Sequence, residues 1–142
     1  MTNEKRITRW NYERNIVGVP DDGLVVFCKL EELFEFLGVN KAMPKDKFKQ
    51  LVKTYTTYLM AEQYSTEASA TVEDKINALN NDSVFNTGFI HRYGYDPSEV
   101  MNQGLLHIES RTGSMGKDGK WQKTSDTDVV YEPRYSEARY ER

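Results

Sequence analysis

From Glu109 to Arg142 the chain contains no Leu, Ile or Phe. A segment that poor in large apolar side chains cannot bury enough surface to offset the entropy of ordering itself. The hydrophobic core is therefore expected upstream, within residues 16–109. Residues 110–142 are read as a Gly-rich polar turn region followed by an extended C-terminal arm. Residues 1–15 also lack the apolar period of a core element and are read as a second arm.

The two ends share a composition. Residues 6–14 interleave Arg6, Arg9 and Arg14 with Trp10 and Tyr12, and residues 131–142 interleave Arg134 and Arg139 with Tyr131, Tyr135 and Tyr140. The tripeptide Tyr-Glu-Arg ends both stretches, at 12–14 and 140–142. Arginine and the large aromatics offer wide, flat contact area with a polar handle, the chemistry enriched at binding hot spots. These ten residues are the protein-binding candidates. Their charge differs: residues 1–14 set Lys5, Arg6, Arg9 and Arg14 against Glu4 and Glu13, whereas three arginines and three glutamates cancel over 131–142.

Between the arms, Ile16 to Val19 and Leu24 to Phe27 flank Pro20-Asp21-Asp22-Gly23, which predicts a β-hairpin. Leu30, Leu33, Phe34 and Leu37 recur at helical spacing, with Gly38 placed to end that helix. Pro44 opens the clearest helix, to about Tyr64, with Phe48, Leu51, Val52, Tyr55 and Leu59 on one face. Residues 65–70 read as a loop. Thr71 and Asp74 resemble a capping box for a short helix that Asn80-Asn81 is expected to stop. Asp96-Pro97-Ser98-Glu99 is the strongest helix start in the chain, the helix ending at Gly104 before a strand or running on to Ile108. Lys117 to Lys120 reads as a tight turn with Met115 and Trp121 on its legs. The expected fold class is α+β: an N-terminal β-hairpin and about four helices around a single core, with extended N- and C-terminal arms.

Catalytic and metal signatures are weak. His91 and His107, with Arg92 and Glu109, have the residue types of a general acid–base pair, but a hydrogen-bonded structural histidine is the commoner role for His107 among Leu105, Leu106 and Ile108. Cys28, the single cysteine, lies in the apolar run 24–28 and is expected to be a buried inert thiol; it also points to a reducing compartment. Asp126 and Asp128 lack the other ligands of a calcium loop. Gly113, Gly116 and Gly119 are read as turn glycines, since no helix follows to present its N-terminus to a phosphate. No cofactor or metal is expected, and the chain is read as non-enzymatic.

Lys45, Lys49 and Lys53 form a row on the Pro44 helix and are the nucleic-acid-binding candidates. The formal net charge of −3, from 19 basic and 22 acidic residues, argues against a dedicated phosphate binder. No apolar run approaches the ~18 residues of a membrane span, and the polar start is unlike a signal peptide. The first reading is thus a structural or protein–protein interaction subunit of a larger assembly, cytoplasmic or of the viral kind. Its partner would be a protein or sister subunits in a homo-oligomer, held by the arms. The alternative is a small nucleic-acid-binding regulator using the lysine row and the basic N-terminal arm.

Overall fold

Residues 1–64, 70–124 and 131–141 are described by the computed structural model, without the side chains of residues 63 and 64. Among them the fold is mostly helical, with five α-helices and one two-stranded hairpin near the C-terminus. The expected α+β class with an N-terminal hairpin is not what forms. Asp21 is instead the N-cap of the second helix, α2 (Asp22–Phe36), its side chain accepting from Gly23 N at 3.1 Å. Leu24 to Phe27 are helical because the run continues the spacing Phe27, Leu30, Phe34, whose side chains are half-buried. Gly38 ends α2 as expected, in the left-handed region at φ 79°.

The chain divides into two units, residues 18–75 and residues 1–17 with 76–142. In the first, α2 packs on α3 (Lys45–Tyr64) across a 3-10 turn at Val39–Ala42. Phe48 and Val52 are its buried apolar residues, and Phe34 meets the Tyr55 ring edge-on at 5.5 Å. Tyr55 and Leu59, on the expected core face, stay largely exposed. Cys28 is exposed on α2, not buried. Its thiol pKa is raised, chiefly by partial desolvation and then by Glu31 and Glu32, which keeps it from the reactive thiolate form.

In the second unit, the expected N-terminal arm is the helix α1 (Asn3–Glu13), capped by Thr2 and packed on α5 (Pro97–Glu109). Asn15 ends it at φ 56°, with Asn15 N bonded to Tyr12 O and Ile16 N to Asn11 O, a Schellman closure with Asn in the usual glycine place. The expected capping box forms at the end of the first unit: Asp74 N donates to Thr71 Oγ1 and Thr71 N to Asp74 Oδ2. It starts α4 (Val72–Arg92), which runs through Asn80-Asn81. Asparagine costs a helix under ~1 kcal/mol, too little to stop it without a glycine or proline. The strands Gly113–Met115 (β1) and Trp121–Lys123 (β2) pair antiparallel with Met115 opposite Trp121, as expected. The C-terminal segment is no free arm. It closes on α5 through a 3-10 turn, Tyr135–Ala138, and Ala138 is buried. The expected 65–70 loop, apart from residue 70, and Asp126 and Asp128 lie outside the described residues.

Candidate functional site

The C-terminal segment of the second unit builds the site. At the end of α4, Gly94 takes φ 91°, its N–H bonds His91 O at 2.9 Å, and Tyr95 N bonds Ile90 O at 3.3 Å. This Schellman closure sets the residue after the glycine against the last turn, where an apolar contact commonly forms. Here those residues are Tyr95 and Ile90. Asp96 then caps α5, accepting from Ser98 N at 3.1 Å, and places Val100 one turn further on.

Residues 131–140 close over this junction. Asp96 N donates to Ala138 O at 2.7 Å, Tyr140 N to Gly94 O at 2.9 Å, and Tyr95 and Arg139 form an isolated antiparallel bridge. Gln103, 2% exposed, anchors the segment: its Oε1 accepts from the Tyr131 hydroxyl and from Arg134 N at 3.0 Å. The result is an open cleft of about 310 Å³ lined by Ile90, Tyr93, Tyr95, Val100 and Tyr135. Tyr93 is 70% exposed and Tyr135 about half exposed.

Above the cleft, α4 is bare. From Ile76 to Phe89 every side chain is exposed, including Ile76, Leu79, Val84, Phe85 and Phe89. Phe85 and Phe89 stack on one another at 6.2 Å.

The binding candidates separate into two groups. At the N-terminal end, Arg6 pairs with Glu109 and donates to Asn102 Oδ1 at 2.7 Å, and Arg9 reaches Glu109 at 3.6 Å. The Arg14 guanidinium, 8% exposed, lies between the indoles of Trp10 at 4.4 Å and Trp121 at 4.6 Å. These arginines and Trp10 hold α1 to α5 and the hairpin; Tyr12 alone of the aromatics there stands 78% exposed. At the C-terminal end, Tyr131 is spent on Gln103, and Arg134 pairs with Glu137 at 3.1 Å while lying over the Tyr131 ring. Tyr135 enters the cleft, Arg139 bridges to Tyr95, and the Tyr140 ring meets His91 edge-on at 5.5 Å.

The histidines keep separate company. His107 Nδ1 lies 2.9 Å from Tyr131 O and its Nε2 lies 3.2 Å from the Arg111 guanidinium, so both ring nitrogens are engaged. Lys45, Lys49 and Lys53 all lie exposed on α3, and Lys49 pairs with Glu31 and lies over the Phe27 ring. Among the described residues no group of three or more His, Cys, Asp or Glu is placed to hold a metal, and no helix is long and apolar enough to cross a membrane.

In the sequence Phe85, Phe89, Ile90, Tyr93 and Tyr95 crowd one stretch of irregular pattern that does not by itself mark a site. The available signal was Gly94 directly followed by Tyr95-Asp96-Pro97, a helix stop joined to a helix start. Comparison with protein families, curated proteins and solved structures finds no match, so the reading rests on the chain's own residues.

Proposed function

We propose that the protein is a non-enzymatic interaction subunit of a larger assembly, engaged through the exposed apolar side chains of α4 and the tyrosine cleft at its end. The observation that carries this reading is the stretch 76–89 of α4, where five large apolar side chains stand in water. Covering an exposed side chain of this size is worth about 1.5–3 kcal/mol. Phe85 and Phe89, stacked one turn apart, supply a drive for association that the N-terminal arginines, committed to Glu109 and to the indoles, do not.

Size-exclusion chromatography with light scattering tests it, at two salt concentrations and with partner capture from the native host. The wild type is expected as a defined oligomer or partner complex that persists at high salt, because the contact is apolar. The double variant Phe85→Asp, Phe89→Asp is expected to be monomeric with unchanged helical circular dichroism, since neither ring is buried. A wild type that is monomeric and captures the same proteins as the variant would overturn the reading.

A further inference from the structure

The second half of α4 carries a more specific inference, which rests on the interaction reading above and names the occupant of the exposed helix. Among the described residues, α4 packs on no other helix or strand of its unit. Asp82, Phe85, Phe89 and Arg92 follow one another at helical spacings of three, four and three, which sets all four on one side of it. All are exposed, Phe85 by 60% and Phe89 by 49%. Ile76 and Leu79 fall on other sides of the helix by the same periodicity.

This row is symmetric about Thr87 in position and opposite in charge at its two ends. Turned end to end against a copy of itself, as a two-fold contact requires, it sets each Phe85 against Phe89 of the second copy. The same turn brings each Arg92 beside Asp82 of the second copy. A parallel pair would set every charge against its like. The rest of the helix surface favours the same occupant. From Ile76 to Ile90, Asp82 is the only charged residue, although 29% of the chain is charged. Copies of a chain with net charge −3 repel one another, and a nearly uncharged face is where they approach at least cost. Asp82 is not free within its own chain, but a carboxylate has two oxygens and can accept from a guanidinium as well. We propose that α4 pairs antiparallel with α4 of a second copy. Phe85 and Phe89 form the centre of that contact, and Asp82 with Arg92 fixes its direction from the rim. The rings give it affinity and the charges give it register. A contact of this size belongs to the weaker class of interfaces, so the dimer is expected to dissociate on dilution.

The test is sedimentation equilibrium of the full chain over a dilution series, with circular dichroism to check that each variant folds. The wild type is expected to dimerise. Arg92→Glu and Asp82→Arg should each raise the dimer dissociation constant by about tenfold or more, since each sets like charges together twice. An equimolar mixture of the two variants should recover wild-type affinity, because every facing pair is then of opposite sign. Arg92→Lys keeps the charge and should dimerise as the wild type does. If Asp82→Arg does not fold, the contrast between Arg92→Glu and Arg92→Lys carries the test. Equal affinity of those two, or a mixture of folded variants no tighter than either alone, would overturn the proposal. In either case Phe85→Asp, Phe89→Asp that abolishes assembly leaves the broader α4 reading standing. A wild type that stays monomeric throughout also overturns it. Capture of a different protein that depends on Phe85 and Phe89 then preserves the interaction reading, and its absence removes both.

Discussion

Between Trp10 and Trp121 the Arg14 guanidinium has lost most of its water, and its Nε has no hydrogen-bond partner. The two indoles, the Trp10 carbonyl that accepts from Nη1 at 3.3 Å and Glu13 at 3.8 Å offset the desolvation, and a cation–π contact in such a place is worth about 2 kcal/mol. Arg14→Ala is expected to lower stability by about that amount in urea unfolding followed by tryptophan fluorescence. Arg14→Lys should not recover it, because an ammonium cannot lie flat between two rings; wild-type stability in the lysine variant would sink the stacking account. Glu32 sets a different residue-scale test. Partial desolvation, then Glu35 and Glu31, raise its pKa against the pull of Lys49. A carboxyl raised in the folded state binds more protons folded than unfolded, so stability falls as pH rises through that window. Glu32→Gln is expected to raise Tm at pH 7, with the gain vanishing below about pH 4, the ordinary carboxylate range. Arginine at a terminus reads as a hot spot from sequence because the chemistry that holds a partner also holds a neighbouring helix. Nothing in residues 1–14 tells Arg14, which is enclosed, from Tyr12, which is not.

Helix ends were the most legible elements. Gly38, the Thr71–Asp74 box and Asp96-Pro97 each act where local chemistry placed them, because a cap is settled within four residues. The 113–123 hairpin was legible for the same reason, and Gly113 is fixed there: an added Cβ would stand 2.4 Å from Gln122 O and 2.7 Å from the Trp121 ring. Failures arose where local signals competed. Pro20-Asp21-Asp22-Gly23 fits a turn and a helix start equally, and only the distant continuation to Phe34 decides. At α4 the polar pair Asn80-Asn81 looked terminal, yet the breaker is Gly94. Two outcomes follow for this helix. Thr71→Ala is expected to cost about 1 kcal/mol. The Asp74 carboxyl is held below its usual pKa by the Thr71 N–H and then the Thr71 hydroxyl. Its contribution is therefore complete above the ordinary value near ~3.9 and is lost as pH falls below that. Helical circular dichroism between pH 6 and 2 should show the wild type and Asp74→Asn converging at the acid end.

At the scale of the whole chain, the bias against large aliphatics after Glu109 misled most. It leads to the expectation of an extended arm, but residues 131–140 gain order from α5, chiefly through Gln103, and Ala138 supplies the buried apolar contact. Sequence offers no sign of that, since the anchor is a glutamine 28 residues from Tyr131. Tyr131→Phe is expected to cost about 1 kcal/mol, the typical net value of one internal hydrogen bond, and deletion of 131–142 to cost more and to broaden the amide resonances of residues 94–103. Unaltered resonances there would show the segment to be dispensable. The Asn15 side chain, which donates to Gly119 O at 3.1 Å, has a further consequence. It joins the first helix to a turn 104 residues later, so the unit to which both belong is discontinuous in the chain. On the ribosome, residues 18–75 emerge as one uninterrupted stretch, whereas α1 must wait for α5 and the hairpin. Synthesis order then works against the N-terminus: α1 is made first and settles last. Stalled nascent chains ending near residue 100 should protect residues 18–75 from protease and leave residues 1–17 open to cleavage.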